Sequence, residues 1–320
     1  MKKKSVNYEK KTIDVVIPSF NEEGNVAVLY QRLKDVIPAD YDYRIIFVDD
    51  GSSDGTLKEI RKLAEKNSNV GFISFSKNFG HQIALKAGLD HSDADCVISL
   101  DADLQHPPEL IPILIRKWEE GNDIVYTKRM DNENVGLFKK ITAKIFYSLL
   151  NALSGLNIDQ GAADFRLLDR KVVNVLKTFE ERNLFIRGMV TGIGFQKSFI
   201  EYQPERRVWG KSKYSLKRMF LFALDGITSF SVKPLHLATI AGVIFSFFSG
   251  IYAIYAIVIF FTSDKVVSGW TSVLVSVLFM GGVQLIVLGI LGEYIGKMFL
   301  QTKNRPNYIV KDANISSYRN

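Results

Sequence analysis

Two stretches near the C-terminus, Leu235 to Phe261 and Trp270 to Leu291, contain no Lys, Arg, Asp or Glu, although the chain holds 41 basic and 34 acidic residues. As helices, each is long enough to cross a hydrocarbon core about 30 Å thick. A buried helical hairpin is the alternative, but core helices of that length normally keep a polar face. Two membrane spans are therefore expected, and they limit the soluble part to what precedes and follows them.

The connector Thr262 to Gly269 is short and almost neutral. Lys211, Lys213, Lys217, Arg218 and Lys233 precede the first span, and Lys297, Lys303 and Arg305 follow the second. Basic flanks on both sides predict that both ends face the cytoplasm, as in a multi-pass protein of the inner (plasma) membrane whose soluble domain is cytoplasmic. The opening Met-Lys-Lys-Lys-Ser leads into polar Asn7 to Thr12 and not into an apolar segment, so no secretory signal is expected. The single Cys96 sits in a strand pattern, as a core residue in a reducing compartment would.

Before the spans, apolar runs alternate with helical patterns. Strands are predicted at Ile13–Ile17, Ile45–Val48, Phe72–Phe75, Val97–Leu100 and Ile124–Tyr126, and helices at Val26–Ile37, Leu57–Lys66, Gln82–Leu89 and Glu109–Glu120. This alternation implies an α/β fold, a mostly parallel sheet with helices on both faces. Its ligands belong outside the carboxyl ends of the strands. The predicted organisation is a soluble domain over 1–205, a juxtamembrane amphipathic segment over 206–234, two spans over 235–298 and a cytoplasmic tail over 299–320.

The loops after the strands are rich in acids and turn residues. Pro18-Ser-Phe-Asn-Glu-Glu-Gly24 follows the first, Asp49-Asp-Gly-Ser-Ser-Asp-Gly-Thr56 the second, Ser76-Lys-Asn-Phe-Gly80 the third and Asp101-Ala-Asp-Leu-Gln-His-Pro-Pro108 the fourth. Caps and turns account for some of these residues, such as Gly51 in a tight turn or Asp54 at a helix start. An acid-x-acid turn is commonly a solvated loop. Two carboxylates beyond a buried strand can also hold Mg²⁺ or Mn²⁺ against a diphosphate, since hard cations select oxygen ligands.

In order and composition these four loops resemble the motifs of inverting family 2 glycosyltransferases of GT-A fold. With the C-terminal spans, the chain is similar to the polyprenyl-phosphate glycosyltransferases, the bacterial relatives of dolichol-phosphate mannose synthase. The resemblance covers nearly all of the chain after its first ten residues. It implies a nucleotide-sugar donor whose base and ribose lie against Pro18, Phe20 and Glu22, with Asp50 bonded to the base. It places Lys77 beside the diphosphate, Asp101 on the ribose and diphosphate side, and Asp103 and Gln105 on the metal.

Gly161-Ala-Ala-Asp-Phe-Arg166 resembles the segment in which an aspartate, here Asp164, approaches the acceptor. Asp164 and Arg166 could equally form a structural ion pair opening a helix. A hydroxyl acceptor needs a base, whereas a phosphate monoester is already anionic and mainly needs holding. The implied acceptor is polyprenyl phosphate, and cations near the membrane are candidates to hold it: Arg129, Lys140 in the amphipathic 137–144 stretch, and Arg207 and Lys213 around the turn glycine Gly210. Basic residues beside a span also serve topology and contact anionic lipid heads. Tyr214 to Lys233 reads as an interfacial helix on the bilayer.

Gly281, Gly282, Gly289, Gly292 and Gly296 give the second span a small-residue face, suited to close packing within the chain or in a homo-oligomer. A processive polysaccharide synthase shares the nucleotide motifs, but its Gln-x-x-Arg-Trp element and extra spans are missing here. A non-catalytic scaffold would have no use for Asp50, Asp101, Asp103 and Gln105 together. The net charge of +7 is carried largely beside the spans, so no nucleic-acid partner is expected. UDP-glucose and UDP-N-acetylglucosamine are the favoured donors.

Overall fold

The computed structural model describes residues 10–130, 148, 151–153, 155, 161–182, 184–203, 227–229, 231–262, 269–315 and 318. The first strands are continuous apolar runs, the pattern of strands covered on both faces. Strand β1 (Thr12–Ser19) is followed by helix α1 (Glu23–Val36), then β2 (Asp42–Asp49), α2 (Thr56–Lys66), β3 (Val70–Phe75), α3 (His81–Asp90) and β4 (Cys96–Ser99). A 3₁₀ turn at Pro108–Leu110 leads into α4 (Ile111–Glu119), because prolines at 107 and 108 cannot donate to a ladder but suit a helix start. Strand β5 (Ile124–Arg129), β6 (Ala162–Asp169), α5 (Arg170–Lys177), α6 (Ile186–Gly192) and β7 (Lys197–Tyr202) follow.

One eight-stranded sheet runs in the order β7-β5-β6-β4-β1-β2-β3-β8, where β8 is Val310–Asn314. β4, β1, β2 and β3 are mutually parallel, so their carboxyl ends open on one side. β6 is inserted antiparallel between β4 and β5, pairing Ser99 with Arg166. That register sets Asp164 across from the strand tip that carries Asp101. Ile13, Val15, Ile17, Leu29, Leu33, Ile45, Phe47 and Phe165 are among the buried core.

Three strands were not anticipated. β6 carries a buried Asp and Arg, which break the apolar run. β7 and β8 are edge strands with mostly polar, exposed residues, a composition that blunts an edge.

The molecule divides into two compact units. The described residues of Met1–Ser148, Leu156–Ser215 and Arg305–Asn320 form the first, and those of Leu149–Gly155 and Leu216–Asn304 the second. The last helix continues to Thr302, and the described residues from Arg305 on belong to the first unit.

In the second unit, α7 (Lys233–Thr262) and α8 (Trp270–Thr302) contain apolar stretches of 27 and 30 residues with mean hydropathy 2.1 and 2.5, neither of them buried. Both are long and apolar enough to cross a membrane. Phe245 meets Phe279 edge-on at 5.7 Å, and the Tyr294 hydroxyl donates to Ser231 O at 2.6 Å. A methyl group added at any of the five glycines of α8 would meet nothing within 4 Å among the described residues.

Candidate active site at the strand tips

The loop after β1 turns at Asn21, which has a φ of 56°. Asn21 N donates to Ser52 Oγ at 3.0 Å, Asn21 Oδ1 accepts from Ser53 N at 2.9 Å, and Glu22 N donates to Thr56 Oγ1 at 2.8 Å. The first two strand-tip loops are thereby latched together. Pro18 pairs with Val48 one residue before β1 ends, Phe20 stands exposed at the rim, and Glu22 accepts from Asn25 Nδ2 at 2.5 Å. An exposed aromatic beside a latched loop is a suitable wall for a flat base.

Asp50, expected to contact the base, is buried. Its two carboxylate oxygens accept the backbone N–H groups of Phe79, at 2.6 Å, and Gly80, at 2.9 Å. Burial raises its pKa, and those two N–H groups oppose the rise. What Asp50 holds here is the loop after β3. Gly51, at φ +67°, permits the close approach, since a Cβ there would lie 2.4 Å from the Lys77 carbonyl carbon. In that loop the Lys77 ammonium sits 5.1 Å above the Phe79 ring.

At the fourth strand tip, Asp103 Oδ1 accepts from Gln105 N at 3.1 Å around Leu104, whose φ is 59°. The turn closes on itself through the Gln105 backbone N–H and the Asp103 carboxylate. Asp101 points elsewhere: Oδ2 meets His106 Nε2 at 3.1 Å and Oδ1 lies 3.4 Å from His81 Nε2. Burial acts to raise the Asp101 pKa, but His81 and His106 outweigh it and the net direction is down. His106 in turn bonds the Tyr202 hydroxyl through Nδ1 at 2.9 Å.

Asp164 is the most heavily paired carboxylate of the site. Oδ1 accepts from Arg166 Nη2 at 2.5 Å; Oδ2 accepts from Arg187 Nη2 at 3.2 Å and Gln82 Nε2 at 3.4 Å, with His81 Nε2 at 3.6 Å. Burial would raise its pKa, yet Arg187, His81 and Arg166 hold it well below the usual carboxylate range. Burial likewise acts to lower His81, while Asp101 and Asp164 push it up to about 9. The ion pair with Arg166 that the sequence allowed is present, but inside a strand and not at a helix start. Arg129 ends β5, opposite Tyr202.

Asp50, Lys77, Asp101, Asp103, Gln105 and Asp164 therefore gather at adjacent strand tips, with Pro18, Phe20 and Glu22 on the loop latched beside them. Lys140, Arg207, Lys213 and the juxtamembrane stretch through residue 226 lie outside the described residues. His81, His106 and Arg187 were not singled out from sequence. His81 directly follows the quoted Gly80 and His106 lies inside the Asp101 motif, so both were within reach; nothing marked Arg187. Among the described residues, no group of three or more His, Cys, Asp and Glu side chains is arranged to hold a metal ion.

A match to the profile of glycosyl transferase family 2 spans residues 14–176, from β1 into α5. The chain belongs to glycosyltransferase family 2. Its relatives extend the likeness to nearly the full length. It is 43% identical over 302 residues to the SfII prophage-derived bactoprenol glucosyl transferase of Shigella flexneri, covering 94% of this chain and 98% of that protein. It is 41% identical to the uncharacterized glycosyltransferase YkcC of Bacillus subtilis (strain 168), covering 93% of each. A solved structure with some likeness is the glucosyl-3-phosphoglycerate synthase of Mycobacterium tuberculosis in complex with Mn²⁺ and UDP-glucose, with 20% identity, a TM-score of 0.45, and coverage of 68% of this chain and 77% of that one. The strand-tip loops lie within the segment that matches this family.

Proposed function

We propose that this glycosyltransferase moves a sugar, with inversion, from a UDP-sugar to polyprenyl phosphate at the cytoplasmic face of the plasma membrane. UDP-glucose and UDP-N-acetylglucosamine are the favoured donors. The observation that carries the reading is the state of Asp164. A carboxylate held far below its usual pKa by two guanidinium groups and His81 is a poor proton acceptor. It suits an acceptor that arrives already ionised, which a lipid phosphate does and a sugar hydroxyl does not. The bactoprenol relatives favour the same acceptor class and a glucosyl donor.

In this reading Phe20 and the latched loops receive the base, Asp50 sets the loop that carries Lys77, and Lys77 faces the diphosphate. An acceptor phosphate oxygen attacks the sugar C1 from the face opposite the diphosphate; the C1–O bond breaks and its electron pair leaves with UDP. Asp164 keeps Arg187 and His81 in place, and Arg129, Lys140, Arg207 and Lys213 hold the acceptor phosphate.

A divalent cation fits the site. Asp103 and Gln105 offer oxygen donors on one turn, and Mg²⁺ or Mn²⁺ bound by one or two carboxylates plus the diphosphate needs no closed protein cage. When bound, it would neutralise charge on the departing UDP.

The test uses the full chain in lipid nanodiscs with radiolabelled UDP-sugars and undecaprenyl phosphate. Label should enter an organic-extractable lipid that is labile to mild acid. Label found only in water-soluble saccharide would instead establish a saccharide-extending enzyme.

A further inference from the structure

The segment after α8 returns to the sheet domain and runs antiparallel along β3, pairing Val310 with Phe75 and Asn314 with Phe72. Its fit is close. A Cβ at Gly71 would come within 2.9 Å of Asn314 O, and Arg61 pairs with Asp312 at 2.6 Å. The far end is anchored as well: Tyr318 N donates to Asp93 Oδ2 at 2.9 Å, and the Arg44 guanidinium lies 4.7 Å from the Tyr318 ring.

At the ligand side this strand touches the loop that carries Lys77. Ser76 N donates to Ile309 O at 3.0 Å, which extends the pairing beyond the last residue of β3. The Tyr308 ring stacks on Phe75 with centroids 5.1 Å apart and planes at 21°, and its hydroxyl reaches Asp90 at 3.4 Å. Phe75 meets Phe79 edge-on at 5.6 Å, and Phe79 N is the group Asp50 accepts at 2.6 Å. A continuous set of contacts therefore leads from Tyr308 through Phe75 and Phe79 to Asp50. The Ser76–Gly80 loop is held from one side by Asp50 and from the other by Tyr308 and Ile309.

We propose that residues 305–314 are a positioning element of the donor site, in which Tyr308 and Ile309 fix the loop bearing Lys77. The proposal rests on the reading that this loop meets the nucleotide-sugar diphosphate. It gives the C-terminal segment a catalytic consequence without contact with substrate. Stacking supplies the geometry, because a planar ring parallel to Phe75 limits how that ring and its neighbour Phe79 can turn.

The test measures the full-length protein in nanodiscs, by steady-state kinetics and by amide hydrogen exchange. Tyr308→Ala should raise the donor KM about tenfold, the range expected for losing one aromatic pair and its burial, with the acceptor KM unchanged. Exchange at residues 76–80 should speed up in the same variant. Tyr308→Phe, which keeps the stack, and Arg61→Ala, which removes the exposed ion pair to Asp312 from outside the segment, should stay within about twofold of wild type. Tyr308→Leu serves if the alanine variant does not fold. Unchanged donor KM, or donor and acceptor KM rising together, would overturn the proposal. If the wild type accepts no nucleotide sugar, the donor reading itself fails, and the exchange result still decides whether the segment holds the loop.

Discussion

Replacing Asp164 by Asn keeps the side-chain shape and removes the charge shared by Arg166, Arg187 and His81. Arg166 is only 3% exposed, and its other acceptor is Ala163 O at 3.1 Å. Removing one member of a buried ion pair costs about 3–5 kcal/mol, because the remaining charge is left out of water. The Ala163 contact and an Asn carbonyl that still accepts put this variant at the low end, about 3 kcal/mol. For a domain of 150–250 residues that corresponds to a fall of about 6–12 °C in the melting midpoint. Thermal unfolding in detergent reads it directly. Turnover should fall about 10- to 100-fold through misplacement of Arg187 and His81, and should not recover with rising pH. A variant melting within a degree of wild type would refute the buried-pair argument. Turnover at background, with the fold intact, would refute the claim that Asp164 organises the site and does not act as the base.

Asp103→Asn should lose turnover while remaining folded and membrane-bound, and excess EDTA should silence the wild type; full activity in either case contradicts the metal assignment. A cysteine introduced at position 268 should be labelled from outside intact cells, while labels at positions 5 and 316 stay protected, and the reverse pattern would invert the topology. His81, raised from 6.5 to about 9 by Asp101 and Asp164, contributes to stability in full below pH 6.5 and loses that contribution as pH rises through about 9. The melting midpoint of the wild type should therefore decline across that window, and that of His81→Gln should not share the decline.

The five strands and four helices of the first 130 residues were legible because buried parallel strands are continuous apolar runs and the helices between them keep a 3.6-residue period. The strand tips were legible for the same reason, since the topology dictates where loops gather. β6 was hidden by Asp164 and Arg166, two charges buried in a strand only because each neutralises the other. β8 was hidden because Val-Lys-Asp-Ala-Asn is polar and gains its order from the β3 edge, a partner more than 230 residues away in sequence. The role of His81 was obscured for a related reason: its partner Asp164 meets it only once β6 has been inserted beside β4.

In the proposed reaction the acceptor arrives ionised, and the site holds it without deprotonating it. The most direct measurement compares undecaprenyl phosphate with undecaprenol in one transfer assay, at equal mole fraction in the same nanodiscs and with the same UDP-sugar. Transfer to the phosphate is expected, with a rate to the alcohol lower by a factor of about 1,000 or more, because the alcohol carries no charge for the cations and the site offers no base able to activate it. Comparable rates with the two lipids would contradict this reading.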